Sequence, residues 1–262
     1  MFSFDLHKRK LLTVFLLLLF GWSLLGVEWQ EGVMHASGLR TAGEIFAAMF
    51  HPVLSADILR LAMESTWITL AYATAGMSLA LVLGFTFGIL ASGIFASSKG
   101  SKTWMKGSFR GILGFMRAIH ELVWAWLFVA TFGLSPYAAI FALAIPYGGI
   151  LGRILADMIN DVPEDPIMAL RAAGASKLQC LIYAYLPSIR NSMISYAMYR
   201  YECAVRSSAI MSFVGLGGLG YQIQLSLDDL NYGEVWTFMY FLTILVVLID
   251  GWSNMLRKRM AQ

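Results

Sequence analysis

The chain has 262 residues, of which 58% are hydrophobic and only 13% charged, and its mean hydropathy is +0.67. Soluble domains run at roughly one-half apolar and one-quarter charged residues, so this composition excludes a water-soluble globule. The formal net charge is a modest +3, two cysteines (Cys180 and Cys203) give no disulfide framework, and four scattered histidines give no zinc-ligand spacing.

Crossing a bilayer takes about 20 mostly apolar residues. The chain offers about six such runs: Leu11 to Val27, Thr66 to Phe95, Gly111 to Phe132, Tyr137 to Ile159, Ser188 to Val214 and Val235 to Met255. The expected fold class is therefore an all-α membrane protein with about six transmembrane helices. His7, Lys8, Arg9 and Lys10 precede the first run as they would in a secretory signal. Trp22 near its end and Trp29 just after it, without a nearby small-x-small cleavage site, read as a retained helix. Residues 1–60 are expected to hold that helix and a periplasmic segment, and residues 61–262 the core, with a cytoplasmic loop at 160–187. In the second run Gly84 and Gly88 form a small-xxx-small pair that would let another helix approach closely, the equal alternative being that glycine is simply common in membrane helices.

Basic residues set the threading. His7 to Lys10, the cluster Lys99, Lys102, Lys106 and Arg110, then Arg171 with Lys177, and finally Arg257, Lys258 and Arg259 all fall on one side. The positive-inside rule makes that side cytoplasmic, with both termini on it. The opposite loops carry Glu28, Glu31, Glu44, Asp57, Glu64, Asp228, Asp229 and Glu234, opposed by Arg40 and Arg60.

The third run contains Arg117, His120 and Glu121. An ionised side chain at mid-bilayer costs about 3 kcal/mol on insertion scales, so each needs a partner or a wet cavity. Arg117 and Glu121 stand i,i+4 and can meet on one helix face. After the fourth run, Asp161-Val-Pro-Glu-Asp-Pro166 caps the entry to a short helix, Ile167-Met-Ala-Leu-Arg-Ala-Ala173. Gly174-Ala-Ser-Lys177 then bends the chain, and Leu178 to Leu186 leads to Pro187 at the mouth of the fifth run. Two short helices around a glycine form a compact knob suited to a partner's groove.

The fifth run carries Arg200, Glu202 and Arg206, with Tyr196, Tyr199, Tyr201, Ser207 and Ser208 beside them. Glu202 and Arg206 are again spaced i,i+4, whereas Arg200 lacks an acid at i±3 or i±4 and is left to face an anion or Glu121 across the bundle. Register-locking ion pairs and a charged pathway are both open readings of these groups. Gly215, Gly217, Gly218 and Gly220 follow at the outer end and read as a loop, with contact to an anion or a docked protein as the other reading.

In its loop spacing the sequence resembles the permeases of ABC importers, whose cytoplasmic loop reads Glu-Ala-Ala, three residues, Gly, nine residues, Ile-x-Leu-Pro. Here Met168, Ala169 and Leu170 stand at the first three positions, Ala173 precedes Gly174 at the glycine, Ala184 stands at the isoleucine, and Leu186-Pro187 closes the pattern. The spacing is met and the Glu is replaced by Met168. The resemblance is greatest to the phosphonate-type permeases and is carried by Arg117 to Ala125, Ala169 to Ser176, Tyr199 to Ser207 and Val214 to Gly220, with His120 where that family has proline.

The resemblance implies a type I ABC importer permease fold and a coupling helix at the loop. It implies a transport subunit, not an enzyme, in the bacterial inner membrane. The expected partners are a second permease copy or paralogue, two ATPase subunits carrying ATP and Mg, and a periplasmic binding protein. The chain itself is expected to bind no cofactor, metal or nucleic acid. The implied substrate is phosphonate, phosphite or hypophosphite. The charged groups within the apolar runs, Arg117, His120, Glu121, Arg200, Glu202 and Arg206, with Ser207, read as its pathway, in which Arg200 and Arg206 supply positive potential, since guanidinium forks match phosphorus oxyanions. An ion-coupled secondary transporter using Glu121 and Glu202 as carriers is the other class considered. An intramembrane enzyme lacks its motifs, with no HExxH pair, GxSxG elbow or paired aspartates.

Overall fold

The computed structural model describes residues 2–26 and 38–260, so the end of the first apolar run at Val27, together with Glu28, Trp29 and Glu31, lies outside the described residues. The described residues are helical with turns between them and contain no strand. Contacts divide the chain into two units, Met1–Phe50 and His51–Gln262. The first holds helices α1 (Phe2–Leu25) and α2 (Gly38–Ala48), with Arg40 and Glu44 bridged at 3.0 Å. Within α1 the apolar residues Leu11 to Phe20 are exposed, as a helix facing lipid requires.

The second unit contains α3 (Ala56–Ser92), α4 (Lys99–Ala118), α5 (Glu121–Phe132), α6 (Pro136–Asn160), α7 (Glu164–Ala172), α8 (Lys177–Cys180), α9 (Leu186–Met211), α10 (Leu219–Asp228) and α11 (Tyr232–Met260). α3 runs unbroken through residues 60 and 61.

α6 is the centre of this unit, because small residues let three helices approach it. The helix expected to approach Gly84 and Gly88 is α6. A Cβ at Gly84 would lie 2.8 Å from Leu151 Cβ, and one at Gly88 would lie 2.8 Å from the Gly152 carbonyl. α4 runs antiparallel along another face of α6. Lys106 Nζ donates to Asn160 at 2.7 Å, Arg110 bridges Asp157 at 2.8 Å, Leu113 lies under Gly152, and Met116 lies against Gly149. Arg153 shares Asp157 from within α6 at 3.0 Å.

The run Gly111 to Phe132 is not one straight span. It breaks between Ala118 and Glu121, where α4 and α5 meet at 85°. Ile119 is extended (φ −95, ψ 127) and His120 caps α5, its Nδ1 accepting the Leu122 N–H at 3.2 Å. A helix start leaves N–H groups without intrahelical partners, and His120 satisfies one of them at the break.

By length and composition α3, α6 and α11 can cross a membrane, and the bent α4–α5 pair is apolar and long enough only when its two helices are taken together, as a broken span or a re-entrant loop. Of the six expected spans, two fall short of that test for physical reasons. The apolar part of α1, Lys10–Leu25, is short. The 26-residue α9 carries Arg190, Arg200, Glu202 and Arg206.

α9 is fastened to α11 by a different pair from the one the spacing predicts. Glu202, 6% exposed, accepts from Arg257 at 2.8 Å, and Arg257 also donates to Asn254 at 2.9 Å. Arg206 is exposed and enters no ion pair among the described residues. Glu202 is buried on the face of α9 turned to α11, while the Arg206 side chain stands on an exposed face, so the neighbouring helix supplies the cation.

Two expectations follow. Gly84→Val should destabilise the fold by about 1–3 kcal/mol through overpacking against Leu151, while Gly111→Ala, which meets open space, should leave the thermal midpoint in detergent unchanged or raised. Arg257→Gln leaves a buried carboxylate unpaired and should cost about 3–5 kcal/mol, most of which the added change Glu202→Gln restores, as read by thermal unfolding in a double-mutant cycle.

Candidate translocation cleft and coupling surface

Where α4 ends, α9 passes close to it, and the space between them is a cleft of about 500 Å³ lined by Gly114, Arg117, Ala118, Ile150, Tyr196 and Arg200. Arg117 is exposed and enters no ion pair among the described residues. Arg200 is held rather than neutralised. Its Nε and Nη2 donate to the Tyr196 hydroxyl at 2.9 and 2.6 Å, and its guanidinium carbon lies 5.0 Å from the Tyr196 ring and 5.3 Å from the Tyr199 ring. Cation–π contact and a phenol acceptor fix the fork's orientation while leaving its full charge uncompensated.

A chain of polar groups crosses the bundle from α6 through α9 to α5. The Tyr147 hydroxyl and Ser207 Oγ are 2.9 Å apart, and Ser207 donates to Glu121 Oε1 at 2.7 Å. His120 Nε2 stands 3.8 Å from Glu121 Oε2. With Nδ1 committed as the cap acceptor, a neutral His120 carries its proton on Nε2, the side facing Glu121. Seven residues separate Arg200 from Ser207, which puts both on one face of α9 about 10 Å apart along its axis.

The structure thus brings Arg117 and Arg200 together, and His120, Glu121 and Ser207 together, but turns Glu202 to α11 and leaves Arg206 on an exposed face. The same-face pairing of Arg117 with Glu121 does not form, because the break puts them on different helices. Arg200 takes Tyr196 rather than Glu121. Sequence reading missed Tyr147, whose signal was a lone hydroxyl among Pro146, Gly148 and Gly149, and it gave Tyr196 no link to Arg200 although the two stand i,i+4.

At the end of the bundle where Lys99, Lys102, Arg171 and Lys177 gather, α7 buries Ile167 against Leu181, Ala184 and Ile189 and exposes Met168, Ala169 and Ala173. Leu170 and Leu186 pack against that same cluster, and Pro187 stands exposed in the first turn of α9. The bend is a helix-ending motif with Gly174 at φ +84. The Ala175 N–H reaches the Leu170 carbonyl at 3.0 Å, and the Gly174 N–H reaches Arg171 at 3.0 Å. A side chain at Gly174 would meet open space, so the glycine is needed for its backbone angle and not for room. Ser176 and Gln179 form a capping box that starts α8, and five residues of π-helix, Leu181–Tyr185, join it to α9. Lys177 Nζ donates to the carbonyls of Phe95 and Ala96 at 3.0 and 2.7 Å and to Ser97 Oγ at 3.2 Å.

The glycine-rich stretch is a packed turn. Thr69 Oγ1 accepts the Leu219 N–H at 2.9 Å, and Ser208 donates to the Thr69 carbonyl at 2.9 Å, which ties α3, α9 and α10 together. Among the described residues no cluster of His, Cys, Asp and Glu has the makings of a metal site.

The family described as binding-protein-dependent transport system inner membrane component matches residues 84–262. The chain is 30% identical to the phosphite transport system permease protein of Stutzerimonas stutzeri, over 92% of this chain and 86% of that protein. It is 32% identical to the phosphate-import permease protein of Mycolicibacterium smegmatis, over 55% of this chain and 27% of that protein. In fold it resembles an inward-facing structure of the MetNI methionine ABC transporter, with a TM-score of 0.70 and 23% identity over 80% of this chain and 100% of that one. The chain is therefore a member of the binding-protein-dependent transport system inner membrane components, a multi-pass ABC importer permease of the phosphonate type with a type I fold.

Proposed function

We propose that this permease moves a phosphorus oxyanion, namely phosphonate, phosphite or hypophosphite, through the cleft at Arg117 and Arg200. The observation that carries the reading is the meeting of two arginines, neither paired with an acid among the described residues, on one cleft between α4, α6 and α9. Uncompensated guanidinium groups there are costly unless an anion or water meets them, and their donor forks match tetrahedral oxyanions. Holding the anion by long-range positive potential rather than by a closed cage suits a path that must also release it. The Tyr147–Ser207–Glu121 chain sits beside this path and supplies hydroxyls and one negative group, which favours passage over tight retention.

On this reading the basic end of the bundle is cytoplasmic, and both termini lie there. The surface exposed at Met168, Ala169, Ala173 and Gly174, along α7 and just past its end, enters a groove of an ATPase subunit that carries ATP and Mg. A periplasmic binding protein delivers the substrate at the other end, and a second permease copy or paralogue completes the pathway. The similarity to a phosphite permease supports the substrate class, and the spacing of the α7 segment supports the docking.

Uptake of labelled phosphite or phosphonate by the purified complex in liposomes tests the pathway. Arg117→Gln and Arg200→Gln should each assemble normally and reduce uptake about tenfold or more, and Tyr196→Phe, which frees the Arg200 fork, should reduce it less. Wild-type uptake by Arg200→Gln, with assembly verified by size exclusion, would sink the arginine pathway.

Gly174→Val tests the coupling surface. A β-branched residue at φ +84 strains the backbone by about 1–2 kcal/mol, so the end of α7 must reshape. Expected is loss of uptake together with loss of ATP hydrolysis stimulated by the binding protein, with membrane insertion retained. Gly174→Asn, which tolerates that angle, should recover part of both.

A further inference from the structure

A second cavity, of about 650 Å³, opens at the basic end of the bundle between the α3–α4 link and α7. Lys99 and Lys102 enter it from the first turns of α4, Arg171 from the last turn of α7, and Lys177 from the start of α8. Among the described residues that line it, Glu164 is the one acid. The side chains of Lys99, Lys102 and Arg171 enter no ion pair or hydrogen bond among the described residues. The Lys177 ammonium differs, because its donors are already committed to Phe95, Ala96 and Ser97. It adds charge to the cavity and no contact.

Like charges gathered around a concave surface repel one another and focus a positive field that an anion relieves. At the cavity wall burial pushes the Tyr185 phenol above the ordinary value, with Arg171 drawing it down and Cys180 and Glu164 drawing it up. Hydroxyl donors are at hand as well. Ser97 Oγ accepts from Lys177 and Ser98 Oγ accepts from the Ser101 N–H, so both are bonded as acceptors and keep their O–H for a ligand.

We infer that this cavity is a binding site for a phosphate-type anion. Arg171 offers a planar fork for two oxygens, Lys99 and Lys102 act as point charges, and the two serine hydroxyls complete the donor set. The site is separate from the cleft at Arg117 and Arg200. It shares a wall with α7, so a bound anion joins the α3–α4 link to the segment that follows α6. Two sources carry this chemistry, the headgroup of an anionic phospholipid and free phosphate.

The test uses the full-length transporter, purified with its partner subunits, in nanodiscs of phosphatidylcholine alone and of equal parts phosphatidylcholine and phosphatidylglycerol. Thermal midpoints are followed while inorganic phosphate replaces chloride at constant ionic strength. If free phosphate is the ligand, the wild type is stabilised saturably in phosphatidylcholine, and the triple variant Lys99→Gln, Lys102→Gln, Arg171→Gln needs about tenfold more phosphate or beyond. If the headgroup is the ligand, phosphatidylglycerol itself stabilises the wild type, added phosphate then does nothing, and the triple variant loses the lipid effect. Glu164→Gln removes the opposing charge and should tighten whichever ligand binds by severalfold, which decides the matter even where the triple variant folds poorly. Titrations in both lipids that are the same for the wild type and Glu164→Gln, or for the wild type and the triple variant, overturn the site. Since binding and not uptake is read, failure of the proposed transport activity leaves this result standing.

Discussion

The rest of the core unit depends on the close contact between α3 and α6. Lipid offers no hydrophobic drive to bring two helices together, so they are held by packing and hydrogen bonds at short range. Gly84, Gly88 and Gly152 remove the side chains that would keep the backbones apart. With that face of α6 closed, α4 takes the next one, guided by Gly149 and anchored by Lys106 and Arg110. Arg117 is thereby set level with Gly149. α9 takes the remaining side through Ser207 and Tyr147, which carries Arg200 to the same place. The cleft lies where α4 stops and α5 turns away, so it is a product of the helix order and not of any one loop.

The all-helical fold, the identity of the core helices and the partner-seeking glycines were legible, because apolar runs and small-residue spacing report on lipid and on backbone contact directly. The break at Ile119 and His120 was not. No glycine or proline marks it, and a histidine capping through Nδ1 is not a usual helix-start signal. That one omission also undid the pairing of Arg117 with Glu121, since i,i+4 arithmetic holds only within a continuous helix. For Glu202 the local rule offered Arg206, yet the partner is Arg257, more than fifty residues away. Spacing along one helix cannot show which helix stands across from a buried acid. At Gly174 the glycine itself was legible as a bend, but its reason was the backbone angle and not lack of room.

The charge of the unit is divided by its geometry. Lys99, Lys102, Arg171 and Lys177 converge at one end through the cavity they share, while at the other Ser226 meets Glu234 and the Val53 N–H reaches the Gly233 carbonyl. Arg117 and Arg200 lie between these ends, and the aromatic cradle of Tyr196 and Tyr199 holds the Arg200 guanidinium in place without an acid. An acid in that place would have cancelled the potential the cleft carries. The acids that lie nearby are assigned elsewhere, Glu121 to Ser207 and Glu202 to Arg257.

Lys177 gives the bundle a mechanical property. Three oxygens of the α3–α4 link converge on one tetrahedral nitrogen, which resists being pulled away yet swivels on its own stem, as a ball joint does. Beyond the joint lies α3, 37 residues long and so about 55 Å from end to end. Packed against α6 at Gly84 and Gly88, it is stiffened by its neighbour as one plank of a laminated beam is. A swing of about 5° at the joint would become a travel of about 5 Å at the far tip of such a beam. The gain of that lever is the length of the helix itself.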